Sequence, residues 1–151
     1  MKPLSRNILA VLHLFIAATA FAADSRPKVE VWKGPSCGCC NDWIRHMEQN
    51  GFAISSHDTG NSDARARLGL SVKLGSCHTA RVGGYVIEGH VPASDIKRLL
   101  RERPDALGLT VPGMPIGSPG MDGPEYGGRK DSYDVLLVRK NGQTSVFRSY
   151  R

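Results

Sequence analysis

The chain has 151 residues, 40% of them hydrophobic and 23% charged, with 20 basic against 14 acidic side chains for a formal charge of +6. That length and balance suit one domain with a real core and exclude a fibrous or wholly disordered chain. The positive excess is mild and dispersed, and no basic–aromatic pattern accompanies it, which excludes a nucleic-acid surface.

Residues 1–22 read as a secretory signal peptide. Lys2 and Arg6 form a basic start, Ile8 to Phe21 is an apolar run broken by His13 and Thr19, and Ala20-Phe21-Ala22 is a small-x-small cleavage site. The run is shorter than the ~20 residues that a transmembrane helix needs, so cleavage and release to the periplasm outrank an uncleaved anchor. No cysteine stands at the cleavage site, which argues against a lipoprotein.

A first strand is expected over residues 28–33, bounded by Pro27 and by Gly34-Pro35. It runs into Cys37-Gly38-Cys39-Cys40, which opens a helix from about Ser36 or Gly38 to Asn50. Gly51 ends that helix. Cys40, Trp43, Ile44 and Met47 share its inward side, while Arg45, Glu48 and Gln49 point outward. Phe52 to Ser55 is a second strand, and the strand–helix–strand unit makes the two strands parallel. Asn61-Ser62-Asp63 caps a short helix to Leu68, stopped by Gly69.

Thr79–Val82 and Tyr85–Glu88 flank Gly83-Gly84, a strong hairpin signal. Pro92 to Arg103 is the next helix, with Ile96, Leu99 and Leu100 inward and Pro104 beyond its end. Lys97, Arg98, Arg101 and Arg103 lie among Asp95 and Glu102 and read as its solvated face. The expected fold is α/β and thioredoxin-like, a βαβ unit followed by ββα, with Cys37 and Cys40 at Cys-x-x-Cys spacing after the first strand. Thioredoxins place a cis-proline just before the hairpin. Here Ser76-Cys77-His78-Thr79 holds that place, so the topology brings a fourth cysteine against the first three.

Residues 104–131 form a Gly/Pro-rich tail in which Pro-Gly-Met occurs twice, ending at Met114 and Met121. Loops of this length are uncommon and are functional or disordered. Tyr133–Arg139 and Thr144–Tyr150 then flank Asn141-Gly142, a type I′ hairpin signal. A return to order after the tail implies that it is pinned on the domain. The expected division is a signal peptide (1–22), a thioredoxin-like domain (23–104) and a metal-binding C-terminal extension packed on it (105–151).

Four cysteines in an oxidising compartment ordinarily mean two disulfides. Cys39 and Cys40 are adjacent, however, and a bond between neighbours is strained. Cys37, Cys39, Cys40 and Cys77, with Met114 and Met121, instead make a soft donor set that selects Cu(I). Zinc could use the four thiolates but would leave both thioethers idle. The tight spacing suits sulfurs that bridge more than one ion. The plainer alternatives are a structural disulfide with two free thiols, and loop methionines that cover apolar surface.

His78, His90 and His46 are the histidine candidates, as ligands or as hydrogen-bond partners of ligands. His46 lies two helical turns from Cys39, ~10 Å by helical rise, too far for one shared ion. For His90 a backbone hydrogen bond is the favoured role, and His57 is expected at the surface. No Ser/His/Asp set, carboxylate pair or phosphate-binding loop emerges, so no catalytic residues are assigned.

Taken together, Cys37-Gly38-Cys39-Cys40, Ser76-Cys77-His78-Thr79, Gly89-His90-Val91-Pro92 and the two Pro-Gly-Met segments resemble the exported copper-resistance proteins of the CopG family. The likeness extends over the whole mature chain. It implies a thioredoxin-like domain whose extension helps bind copper and a cysteine-bridged cluster beside the Cys-x-Cys-Cys turn. It also implies a role in interconverting Cu(I) and Cu(II) during periplasmic detoxification. Cys37, Cys39 and Cys40 carry that role by motif; for Cys77, His78, Met114 and Met121 the motif is present and the ligand role is inferred.

Two alternatives stand beside it. One is a thiol–disulfide oxidoreductase with Cys37 as nucleophile and Cys40 as resolving thiol, against which the absent proline and the surplus Cys39 and Cys77 count. The other is a passive copper chaperone or buffer. The expected partners are copper ions, more than one per chain, and periplasmic copper-efflux components. Neither nucleic acid nor, after signal cleavage, a membrane is expected, and the chain is expected to be a monomer.

Overall fold

The structure is a computed structural model that describes residues 25–151; the signal peptide expected over residues 1–22 lies outside the described residues. Strand β1 (Lys28–Lys33) is followed by helix α1 (Gly38–Gln49) and strand β2 (Ala53–His57). β1 alternates, with Val29 and Val31 buried and Lys28 and Glu30 turned away, as a half-buried strand must. It pairs in parallel with β2, Val29 facing Ile54. Helix α2 (Ser62–Arg67) and a 3-10 turn at Val72–Leu74 lead to strands β3 (His78–Val82) and β4 (Tyr85–Glu88). These two are antiparallel around Gly83 and Gly84, whose positive φ angles close the turn. Helix α3 (Ala93–Glu102) and strands β5 (Gly108–Thr110), β6 (Tyr133–Val138) and β7 (Thr144–Tyr150) complete the chain.

All strands form one sheet in the order β2-β1-β3-β4-β5-β6-β7. One face carries the main core: Val29, Val31, Ala80, Val82, Ile87, Leu109 and Val135 of the sheet pack with Trp43 and Met47 of α1 and Ile96 and Leu99 of α3. Large apolar side chains buried this completely each contribute about 1.5–3 kcal/mol. A smaller cluster of Leu70, Val86 and Val138, with Leu68, Leu74 and Leu107 against it, covers the other face beneath the segment that follows α2. Among the described residues, no helix is long and apolar enough to cross a membrane.

The tail departs from its reading as continuous loop, because it contains β5. This strand runs parallel to β4 and antiparallel to β6, so the last three strands extend the same sheet. Three residues are too few to show an alternating pattern, and the strand exists because the edge of β4 offers it partners. Gly108 is required there: a Cβ would fall only 2.6 Å from the carbonyl carbon of Val86. At the far edge β7 is tied to α3, with Tyr150 donating to Asp95 at 2.7 Å and Arg148 pairing with the same buried carboxylate at 3.1 Å.

Candidate metal centre

The C-terminal end of β1 delivers the cysteine turn to the mouth of α1, where Cys37 precedes the first helical residue. Unpaired N–H groups and the positive end of the helix dipole lie there. Cys37 and Cys40 form a disulfide, their Cα atoms 5.3 Å apart, while Cys39 and Cys77 are free thiols. The Cys39 sulfur is 3.7 Å from that of Cys37 and 3.9 Å from that of Cys77. All four sulfurs lie within 4.8 Å of one another. The approach of Cys77 is a product of topology, since β3 pairs with β1 and its first residue stands opposite Lys33, at the root of the cysteine turn.

Two histidines close the cluster on the Cys77 side. His90 Nε2 is 3.0 Å from the Cys77 sulfur, and its Nδ1–H donates to the Pro119 carbonyl at 2.8 Å. That second bond fixes the tautomer and turns the Nε2 lone pair toward the sulfur. His90 therefore does both of the things the sequence left as alternatives. His78 Nδ1 is 3.4 Å from the same sulfur, and its buried Nε2 has no hydrogen-bond partner among the described residues. Cys77, His78 and His90 also place their ligand atoms within 4.8 Å of one another. Burial holds both histidines below the ordinary range, His78 far below it, aided there by the neighbouring His90. Burial, reinforced by the adjacent Cys39, pushes the Cys77 thiol up to about 12. At neutral pH the site thus presents a thiol whose proton faces an uncharged imidazole.

His46 does not join the cluster. Its Nε2 accepts from the Ala93 N–H at 3.1 Å and so caps the start of α3. His57 pairs with Glu30 at 3.0 Å and stacks on Trp32, at the partly exposed position expected of it.

Both Pro-Gly-Met segments lie beside the cysteines. The second is pressed onto the cysteine turn: a Cβ on Gly120 would sit 2.6 Å from the Cys39 carbonyl oxygen and 2.8 Å from the Trp43 nitrogen. Met121 is buried, and its sulfur accepts from the Tyr126 hydroxyl at 3.3 Å. The first is tied to the chain before Cys77, with Gly113 N–H donating to the Gly75 carbonyl at 3.1 Å. Its Met114 is 52% exposed. Sequence reasoning missed Arg65 and Glu88, which meet behind Cys77 at 2.7 Å. Glu88 ends an otherwise apolar four-residue strand at a position the sheet buries, and that was the available signal.

With the Cys37–Cys40 bond closed, two thiols, Cys39 and Cys77, are available to a metal; with it reduced, four sulfurs beside neutral imidazoles make a donor set for a soft cation. The fold and site thus define a mixed α/β protein that gathers thiols from two distant segments into one metal-type cluster. The chain is similar to two solved structures of the copper resistance protein CopG. To form 2 it is 46% identical, covering 83% of this chain and 99% of that one with a TM-score of 0.77. To form 1 it is 47% identical, covering 82% and 96% with a TM-score of 0.75. The model of a protein family of unknown function, DUF411, matches residues 74–121, from just before Cys77 to Met121. No curated protein matches. The chain belongs to the CopG family.

Proposed function

We propose that this is an exported, periplasmic copper-binding protein of copper resistance that interconverts Cu(I) and Cu(II) at a cysteine-bridged site holding more than one ion. The observation that carries the reading is the convergence of Cys37, Cys39, Cys40 and Cys77, whose sulfurs all lie within 4.8 Å. Met114, Met121 and the imidazole of His78 are the remaining candidate donors, and His90 serves as the hydrogen-bond partner of Cys77. The sheet order β2-β1-β3-β4, with α1 after β1 and α3 after β4, supports a thioredoxin-like core. On that reading β5 to β7 and the loop between them are the metal-binding extension, and periplasmic efflux components are the onward partners.

Bound copper supplies a one-electron couple in which sulfur donors favour Cu(I) and imidazole can follow Cu(II). The protein supplies the donors and handles their protons. Thiol–disulfide exchange with an external dithiol reduces the Cys37–Cys40 disulfide to two thiols, the dithiol leaving as its own disulfide, and this returns two sulfurs to the cluster. Cys77 must lose its proton to bind metal, and His90 Nε2, 3.0 Å away, is placed to accept it. His90 Nδ1–H keeps its bond to Pro119 throughout.

The test is an anaerobic Cu(I) titration of reduced protein against a chromophoric competing chelator, repeated with Cys39→Ser and Cys77→Ser. More than one copper per chain, and a large loss of affinity in each variant, is expected. Absence of uptake by the unsubstituted protein, or serine variants that bind as well as it does, would remove the reading. A second reading has a specific observation in its favour. The Cys37–Cys40 disulfide suits a thiol–disulfide oxidoreductase. Sustained insulin reduction by metal-free protein would favour that alternative. Reversible redox cycling of bound copper without its release separates an oxidoreductase from a passive buffer.

A further inference from the structure

Ser76 and Cys77 stand just before β3, beyond the register that pairs β3 with its neighbours. Both backbone polar groups of Ser76 are nevertheless satisfied, and by side chains. Its N–H donates to Glu88 Oε1 at 2.7 Å. Its carbonyl accepts from Arg65 Nη2 at 2.6 Å and from Asn61 Nδ2 at 3.1 Å. Arg65 Nε donates to the same Glu88 oxygen at 2.9 Å, and Thr79 Oγ1 donates to the other carboxylate oxygen at 2.6 Å. Glu88 is completely buried, and the Arg65 side chain is 11% exposed.

Stability is a weak reason for such a pair, since replacing a buried ion pair with apolar side chains is often neutral or stabilising. What apolar side chains could not do is hold the two ends of a peptide that has no strand partner. That peptide carries Cys77, whose sulfur must stay within 3.9 Å of Cys39 and 3.0 Å of His90 for the cluster to close. We propose that Arg65 and Glu88 are positioning residues for Cys77. They come from α2 and β4, and their bonds to the Ser76 backbone hold the Cys77 sulfur in the cluster. The proposal rests on the copper-binding reading only for what the cluster holds.

The test uses the reduced full mature chain, with Arg65→Met/Glu88→Met as the main variant because both buried charges leave together. The metal-free readout is the iodoacetamide alkylation rate of each cysteine, resolved by peptide mass spectrometry. The second readout is Cu(I) affinity by chelator competition. We expect the double variant to melt close to the unsubstituted protein, to alkylate several-fold faster at Cys77 with Cys39 little changed, and to lose about 10- to 100-fold in Cu(I) affinity. A folded double variant with unchanged Cys77 alkylation overturns the proposal. So does equal acceleration at both cysteines, which would show general loosening. If the double variant does not fold, Arg65→Lys, which keeps the charge and loses the fork, is held to the same criteria. Failure of the unsubstituted protein to bind copper would sink the copper reading alone, because the alkylation arm needs no metal.

Discussion

Gly120 shows how a single residue can dock a segment. Its φ of +86° is strained for any other residue, and its missing side chain lets the tail lie on the first turn of α1. Gly113, in the first Pro-Gly-Met, also has positive φ (+71°), but a Cβ there meets open space. Gly113→Ala should therefore cost only the left-handed backbone penalty of about 1–2 kcal/mol. Gly120→Ala should cost more, because it adds overlap with the Cys39 and Trp43 backbone; if Met121 is a copper donor as proposed, it should also weaken copper uptake by lifting that side chain. Urea denaturation of both variants checks the order; equal losses would mean that Gly120 does not dock the tail. At this scale the four cysteines that the fold gathers, and His78 and His90 beside Cys77, were visible in the sequence by type and spacing. The role of each histidine was not, because spacing along one element says nothing about what a distant element places opposite it. His90 faces Cys77 and Pro119, and His46 faces Ala93.

Between elements, that His46 bond joins the last turns of α1 to the start of α3, whose own N-cap residue, Pro92, makes no side-chain cap. Burial holds His46 below its usual range. Below pH ~6.5 the unfolded chain therefore binds a proton that the folded chain resists, so stability is complete above that value and falls as the pH drops through it. His46→Gln keeps an acceptor and removes the titration. Between pH 7 and pH 5 the unsubstituted metal-free protein should lose stability faster than this variant, by no more than ~1.4 kcal/mol per pH unit, the ceiling for one proton. Parallel urea-denaturation series would count against the assignment. Elements with strong local signals are where the sequence put them, among them α1, α3 and the β3–β4 hairpin closed by Gly83-Gly84. β5 was not legible, since its three residues become a strand only by pairing with β4 and β6.

For the molecule as a whole, the continuous sheet makes the C-terminal strands part of the core rather than an appendage. Leu109, Val111 and Val135 lie in the same apolar cluster as Trp43 and Ile96. A chain ending at residue 104 would expose that cluster and the edge of β4. It should lose cooperative unfolding and near-ultraviolet dichroism, whereas the full chain should unfold in one transition; a truncated chain with a sharp transition of its own would show two independent units. What can be read without a fold is whatever local chemistry specifies: the soft donor types, the strand-to-helix cysteine turn, the hairpins, the helix ends and the resemblance to CopG proteins. Three features arise only when distant segments meet. Cys77 comes within 3.9 Å of Cys39 because β3 pairs with β1, a meeting that the strand order read from the sequence implied and only the pairing itself produces. The tail reaches the cysteine turn because Gly120 has no side chain to keep it away. Arg65 and Glu88 meet behind Ser76 because burial demands that each find the other, and no spacing along the chain encodes that demand.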